Sequence, residues 1–97
     1  LFGIFRGPLT TTTTARTTFS VAPGRCIEVG AALNDGAGIE LRLLEETTRE
    51  ELALGAGSRA TAAIACASGA PRTILAEARL ASGQGNLVMA ARSLGAP

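Results

Sequence analysis

Three consecutive stretches decide how this chain is read: Cys26-Ile27-Glu28-Val29-Gly30-Ala31-Ala32, the turn Asn34-Asp35-Gly36-Ala37-Gly38, and Ile39-Glu40-Leu41-Arg42-Leu43. In the first, Ile27, Val29 and Ala31 share one face and Glu28 lies on the other. In the last, Ile39, Leu41 and Leu43 alternate with Glu40 and Arg42. A period of two places apolar side chains on one side of a pleated strand. Asp35-Gly36 readily takes the positive-φ conformations of a tight turn. The two runs are therefore expected to pair as an antiparallel hairpin with one face on a core.

Working outward, residues 1–9 suit a short strand ending at Gly7-Pro8. Thr10 to Thr14 has high strand propensity but no alternation that buries a face, so it is expected as an exposed edge strand or an ordered linker. Phe19 and Val21 mark a strand closed by Pro23-Gly24. Between 45 and 55 the character changes. Thr47 with Glu50, or Thr48 with Glu51, fits a capping box, Leu52 and Leu54 follow, and Gly55 can close the segment in the left-handed conformation. That pattern predicts a helix of about two turns.

Ala60 to Cys66 reads as a strand with Ala60, Ala62, Ile64 and Cys66 on one face, although its alanines also tolerate helix. Thr73 to Leu80 is open in the same way: Ile74, Ala76, Ala78 and Leu80 fit a strand face, while Leu75, Glu77 and Arg79 also suit a helix. Ser82 to Asn86 is a turn, and Leu87 to Ala91 ends the sheet. About six or seven short strands, glycine-rich turns and one short helix predict a mostly β domain. The expected architecture is a small OB-like antiparallel barrel.

The chain has 97 residues, enough for one domain, 1–97. A chain of this size buries only roughly 60–65% of its unfolded surface. Its 46% apolar content is rich in alanine, and Phe2, Phe5 and Phe19 are its only aromatics, so the core is expected to be thin. Nine arginines, no lysine and eight acids give a net charge of +1. That balance argues against a nucleic-acid surface, which shows a basic excess on one face. A small anion needs only one or two arginines and some amides. Cys26 and Cys66 sit in apolar runs and are expected as free buried thiols, with a single intramolecular disulfide as the alternative. No run is long and apolar enough for a membrane span, so no membrane insertion is expected.

Histidine, tyrosine and tryptophan are absent, which removes the commonest general base and most zinc sites. Glu45, Glu46, Glu50 and Glu51 read as capping and first-turn acids. Gly36-Ala37-Gly38, Gly55-Ala56-Gly57 and the Gly83/Gly85 pair read as turn geometry and not as phosphate-cradling loops. Catalysis is not expected. The recognition chemistry left is that of the arginines, whose guanidinium forks hold oxyanions together with hydroxyls and amides. Arg16, Arg25 and Arg59 have such neighbours.

Taken together, Thr14-Ala15-Arg16-Thr17-Thr18-Phe19, Ser20-Val21-Ala22-Pro23-Gly24 and the run from Thr48 through Leu54-Gly55-Ala56-Gly57-Ser58 to Ala62 resemble the molybdate/tungstate-binding molbindins and TOBE domains. The resemblance covers residues 14–75 and leaves 76–97 as C-terminal strands or tail. By position, Arg16 matches the arginine of the family's opening motif, and Ala67-Ser68 match its closing Ala-Ser. The family's asparagine is replaced by Thr17, and its closing lysine falls on Cys66. The resemblance implies a cytoplasmic, non-catalytic module binding or sensing a small oxyanion through Arg16, Thr17, Thr61 and Ser68. No cofactor is expected beyond a bound molybdate or other oxyanion, and the chain is expected as a homo-oligomer or a subunit of a larger assembly. The alternative is a structural or protein-interaction subunit, or a fragment of a larger complex.

Overall fold

Each run with a two-residue apolar period folds as a strand, and so does the segment expected as a helix. The computed structural model describes residues 2–95. Within them lie β1 (Phe2–Thr10), β2 (Ala15–Val21), β3 (Cys26–Leu33), β4 (Ala37–Glu45), β5 (Glu51–Gly57), β6 (Ala60–Cys66), β7 (Arg72–Ser82) and β8 (Gln84–Gly95). They form two four-stranded antiparallel sheets, in the orders β1-β8-β3-β6 and β2-β7-β4-β5. The sheets face each other as a sandwich. They do not close into the expected OB-like barrel.

The hairpin expected from Cys26 to Leu43 does not form, although both of its strands do. β3 and β4 belong to different sheets, and residues 34–36 carry the chain across the core between them. Ile27, Val29, Ala31 and Leu33 then face Ile39, Leu41 and Leu43 from opposite sheets, and all are buried. An arch and a hairpin bury the same alternate residues, so alternation could not separate them. Gly36 and Gly38 both have positive φ, 86° and 77°, which suits the glycine-rich arch. Among the described strands only β4 and β5 are joined consecutively within one sheet; the other connections all cross.

The arches interlock at one end of the sandwich. The Asn86 amide donates to Asn34 Oδ1 at 2.8 Å, the Leu33 amide to the Arg59 carbonyl at 2.8 Å, and the Gly38 amide to the Ser58 carbonyl at 2.8 Å. Among the described residues, the core between the sheets is built from Phe19, with Phe5 packed against it, a set of aliphatics including Leu9, Val21, Ile74, Leu87 and Met89, and several alanines. Ala63, Ala65, Ala76, Ala78 and Ala91 are all buried.

The helix expected within 45–55 is absent, and no helix occurs among the described residues. Residues 51–57 pair instead with β4, in register Leu43↔Ala53, Leu41↔Gly55 and Ile39↔Gly57. Thr48 does not cap a helix; its hydroxyl accepts the Glu50 amide at 3.3 Å inside a hairpin loop. Gly55, expected as a helix stop, serves close approach. A Cβ there would lie 2.6 Å from the Ala62 carbonyl oxygen and from Thr61 Oγ1, where β5 passes β6 at the margin of the sandwich. The threonine run is neither edge strand nor linker throughout: Thr10 ends β1, and residues 11–14 turn the chain into β2, with the Thr10 amide donating to Thr13 Oγ1 at 3.0 Å.

The thiols expected to be free are joined. Cys26 and Cys66 are direct cross-strand partners on β3 and β6, with Cα atoms 4.0 Å apart, and form a disulfide. They are 40 residues apart in sequence, and closing a loop of that length in the unfolded chain is worth about 4 kcal/mol on the chain-entropy model. That is large for a domain with a thin core. The paired Cys26→Ser/Cys66→Ser variant should lose about 2–4 kcal/mol in urea unfolding, and the unmodified domain should lose the same amount in reductant. An unchanged midpoint with two titratable thiols would contradict the bridge.

Candidate functional site

β7 is an interior strand of its sheet, flanked by β2 and β4, and its outward face carries Glu77 amid the apolar residues Ile74 to Ala78. Glu77 is only 7% exposed and is the one buried charged residue among those described. A buried carboxylate must be paired and hydrogen-bonded, and the register supplies both partners. Arg16 of β2 and Arg42 of β4 lie directly opposite Glu77 on either side. Arg16 Nε donates to Glu77 Oε2 at 2.6 Å, and Arg42 Nη1 lies 3.9 Å from Glu77 Oε1. Arg42 Nε donates in turn to Glu51 Oε1 at 3.0 Å, at the start of β5. A row of alternating charge thus crosses all four strands.

Beside this row Leu44 of β4 lies opposite Leu75 of β7, and both are buried. Leu44, Arg16, Arg42, Glu77 and Arg49 line an open hollow on this outer face. Arg49 comes from the β4–β5 loop, whose geometry is set by two backbone bonds. The Glu45 amide donates to the Glu50 carbonyl and the Arg49 amide to the Glu45 carbonyl, each at 2.8 Å. The loop closes only with Arg49 at φ 64°, the one non-glycine residue with positive φ among those described. A side chain in that region costs about 1–2 kcal/mol relative to the right-handed one, and glycine is the residue that avoids the cost. Among the described residues Arg49 has no carboxylate within ion-pair distance. The hollow therefore gathers three guanidinium groups against the carboxylates of Glu77 and Glu51, over an apolar floor.

The residues expected to bind an anion are dispersed. Arg16 is on β2, where it pairs with Glu77 through Nε while its side chain stays 55% exposed. Thr17, its neighbour, lies on the opposite face of the strand, across from Ala76. Thr61 is on β6 in the other sheet, across from Ala31. Ser68 is exposed beyond the end of β6, where its carbonyl accepts the Gly24 amide at 2.8 Å. Of the other arginines read as possible anion ligands, Arg59 lies 4.0 Å from Asp35, and Arg25 is exposed. Arg42, Arg49 and Glu77 were not among the expected site residues. Glu77 had a signal: a lone charge inside the apolar run Ile74 to Ala78 implies a partner once that run is a central strand. Arg49 had none, because its importance lies in a backbone angle. No group of three or more His, Cys, Asp or Glu placed to hold a metal ion occurs among the described residues.

No family model and no curated protein matches this chain. Among solved structures it is similar to the pre-peptidase C-terminal domain of a collagenase from Bacillus anthracis, with a TM-score of 0.71 and 22% identity over 93% of this chain and 88% of that one. The similarity is one of fold. That domain belongs to a β-sandwich family distinct from the molbindins and TOBE domains, so the resemblance read from residues 14–75 is overturned, and with it the assignment to molybdate. The motifs that suggested it, Pro23-Gly24 and Leu54-Gly55-Ala56-Gly57-Ser58, serve here as a strand-end turn and as a β5–β6 crossing.

Removing the shared carboxylate with Glu77→Ala leaves Arg16 and Arg42 facing each other across β7. Arg16 is 55% exposed and can hydrate, so the expected loss is about 1–2 kcal/mol and not the larger value of a fully buried pair. Urea denaturation measures it, and a neutral result would mean that the row does not hold the sheet's outer face.

Proposed function

We propose that this domain is a non-catalytic recognition module that holds an oxyanion, such as a carboxylate or sulfate group, in the hollow formed by Arg16, Arg42 and Arg49. The observation that carries the reading is Arg49: a cation kept at a backbone position that favours glycine, without an acidic partner, at the rim of an arginine-lined hollow. Local strain of this kind is characteristic of positions retained for what the side chain does. Arg16 and Arg42 are pre-oriented by Glu77, so binding orders few new torsions, and Leu44 offers an apolar surface to a hydrocarbon stem attached to the anion. A guanidinium–oxyanion hydrogen bond contributes about 1.5–3 kcal/mol, so two of them in an open site correspond to roughly millimolar affinity.

The setting is read as a domain appended to a larger protein. The structurally similar domain is by its name a part of a collagenase, which supports that reading. The Cys26–Cys66 bridge favours an oxidising compartment over the cytoplasm first expected. Among the described residues no helix is long and apolar enough to cross a membrane.

The test is an amide-resolved NMR titration with sulfate and with acetate at constant ionic strength, on the unmodified domain and on Arg49→Gly. Saturable shifts are expected at Arg16, at Glu77 and from Arg42 to Glu51. Arg49→Gly should lose them while gaining about 1 kcal/mol of stability, because glycine relieves the positive-φ cost. Unsaturable shifts in the parent domain, or identical binding by the variant, would refute the site.

A further inference from the structure

The two outer faces of the sandwich differ in kind. The β2-β7-β4-β5 sheet presents the charged row described above, with Glu40 opposite Arg79 one step along. The β1-β8-β3-β6 sheet presents almost the reverse. Its outward residues run in register as Ala60, Ala32, Val88 and, on the edge strand, Arg6, then Ala62, Gly30 and Ala90, then Ile64, Glu28 and Arg92. Among the described residues, four of the five exposed large hydrophobics belong to its strands: Ile4 at 55%, Ile64 at 50%, Val88 at 39% and Leu94 at 39%. A contiguous apolar face on a domain this small marks an interaction surface.

We infer that this face is the interface with a second copy of the chain. Its relief is self-complementary. Gly30 leaves a hole, since even a Cβ there would come no nearer than 4.0 Å to the Thr61 carbonyl oxygen. Ala32, Ala90, Glu28 and Arg92 surround that hole, and Val88 stands beside it as a knob on the neighbouring strand. A two-fold axis between Val88 and Gly30 seats each copy's valine over the other's glycine, as an isologous contact requires.

The charges agree with a copy as the occupant. Glu28 and Arg92 form a neutral pair at 2.7 Å within the face, and a two-fold can set each Arg92 toward the opposing Glu28. The exposed Arg6, opposite Val88, lies on the edge strand β1, where its head can stay hydrated at the rim of such an interface. Four strands spaced about 4.8 Å apart, eight residues long at about 3.3 Å each, make a face of roughly 500 Å² in projection. The accessible area is larger, close to the lower bound of roughly 600 Å² per partner for stable interfaces, and a weak, reversible dimer is expected. This inference is independent of the anion hollow, which lies on the opposite face.

Sedimentation velocity across a concentration series tests it. The intact 9.8 kDa domain should shift from monomer toward a species of twice that mass as concentration rises. Val88→Glu and, separately, Ile64→Glu should remain monomeric at least tenfold beyond the parent's midpoint. Both positions are exposed, and far-UV circular dichroism and urea unfolding report that the variants fold. Arg49→Gly should dimerise as the parent does, which separates failure of this inference from failure of the anion site. A parent monomeric to about 500 µM overturns the proposal and leaves the face to a partner of another kind. So does a folded Val88→Glu or Ile64→Glu that still dimerises like the parent.

Discussion

The chain crosses its own core at every strand connection but one, and the rest of the structure depends on that constraint. Each crossing sends successive apolar strands to opposite sheets, so their inner faces meet across the layer and not side by side. Glycines make the crossings possible where backbones nearly touch, as at Gly36, whose Cα lies only 3.0 Å from where a Cβ on Gly83 would sit. The exception is β4–β5. As a hairpin lying within one sheet, it is free to fold its loop over an outer face, and it does so with Arg49 in a conformation that glycine would adopt more cheaply.

A core in which eight of the 21 clustered residues are alanine returns less burial energy per residue than one of larger aliphatics, so the long-range ties carry added weight. The Cys26–Cys66 bridge joins β3 to the edge strand β6 and spans the whole β4–β5 hairpin in sequence. Arg72 adds a second tie at the same end, donating to the Cys66 carbonyl at 3.0 Å and pairing with Glu45 at 3.4 Å. The base of the hairpin that presents Arg49 is thereby linked to the bridged end of the other sheet. On the outer face the Arg16–Glu77–Arg42 row joins three strands, and Glu51 extends it to the fourth.

Much of the strand content was legible in the sequence, because Ile27 to Leu33 and Ile39 to Leu43 alternate regardless of their partners. The pairing was not, since an Asp35-Gly36 turn is compatible with a hairpin or an arch, and only the opposing sheet decides between them. The capping-box reading of 45–55 failed for a related reason: Thr48 and Glu50 do bond locally, but Leu52 and the residues after it gain more from pairing with β4 than a two-turn helix could provide. Alanine, a strong helix former that a short strand also accommodates, left 60–66 and 73–80 open until the sheet fixed them. The arginine reading singled out Arg16, which lies in the charged row, whereas Arg42 and Arg49 became visible only through register and a backbone angle. A local motif similarity had suggested a different family, because turn and strand-end signals recur across unrelated β folds.

The two outer faces thus divide the work proposed for the domain, an arginine hollow for an anion on one side and an apolar face for a second copy on the other. The central claim is that the β4–β5 hairpin exists in this form to hold Arg49 over that hollow. Anomalous diffraction from crystals of the domain grown with selenate tests it directly. The account predicts a selenium peak in the hollow, with selenate oxygens about 2.7–3.0 Å from guanidinium nitrogens of Arg49 and Arg42. An empty hollow, with selenate absent or bound elsewhere, would contradict it.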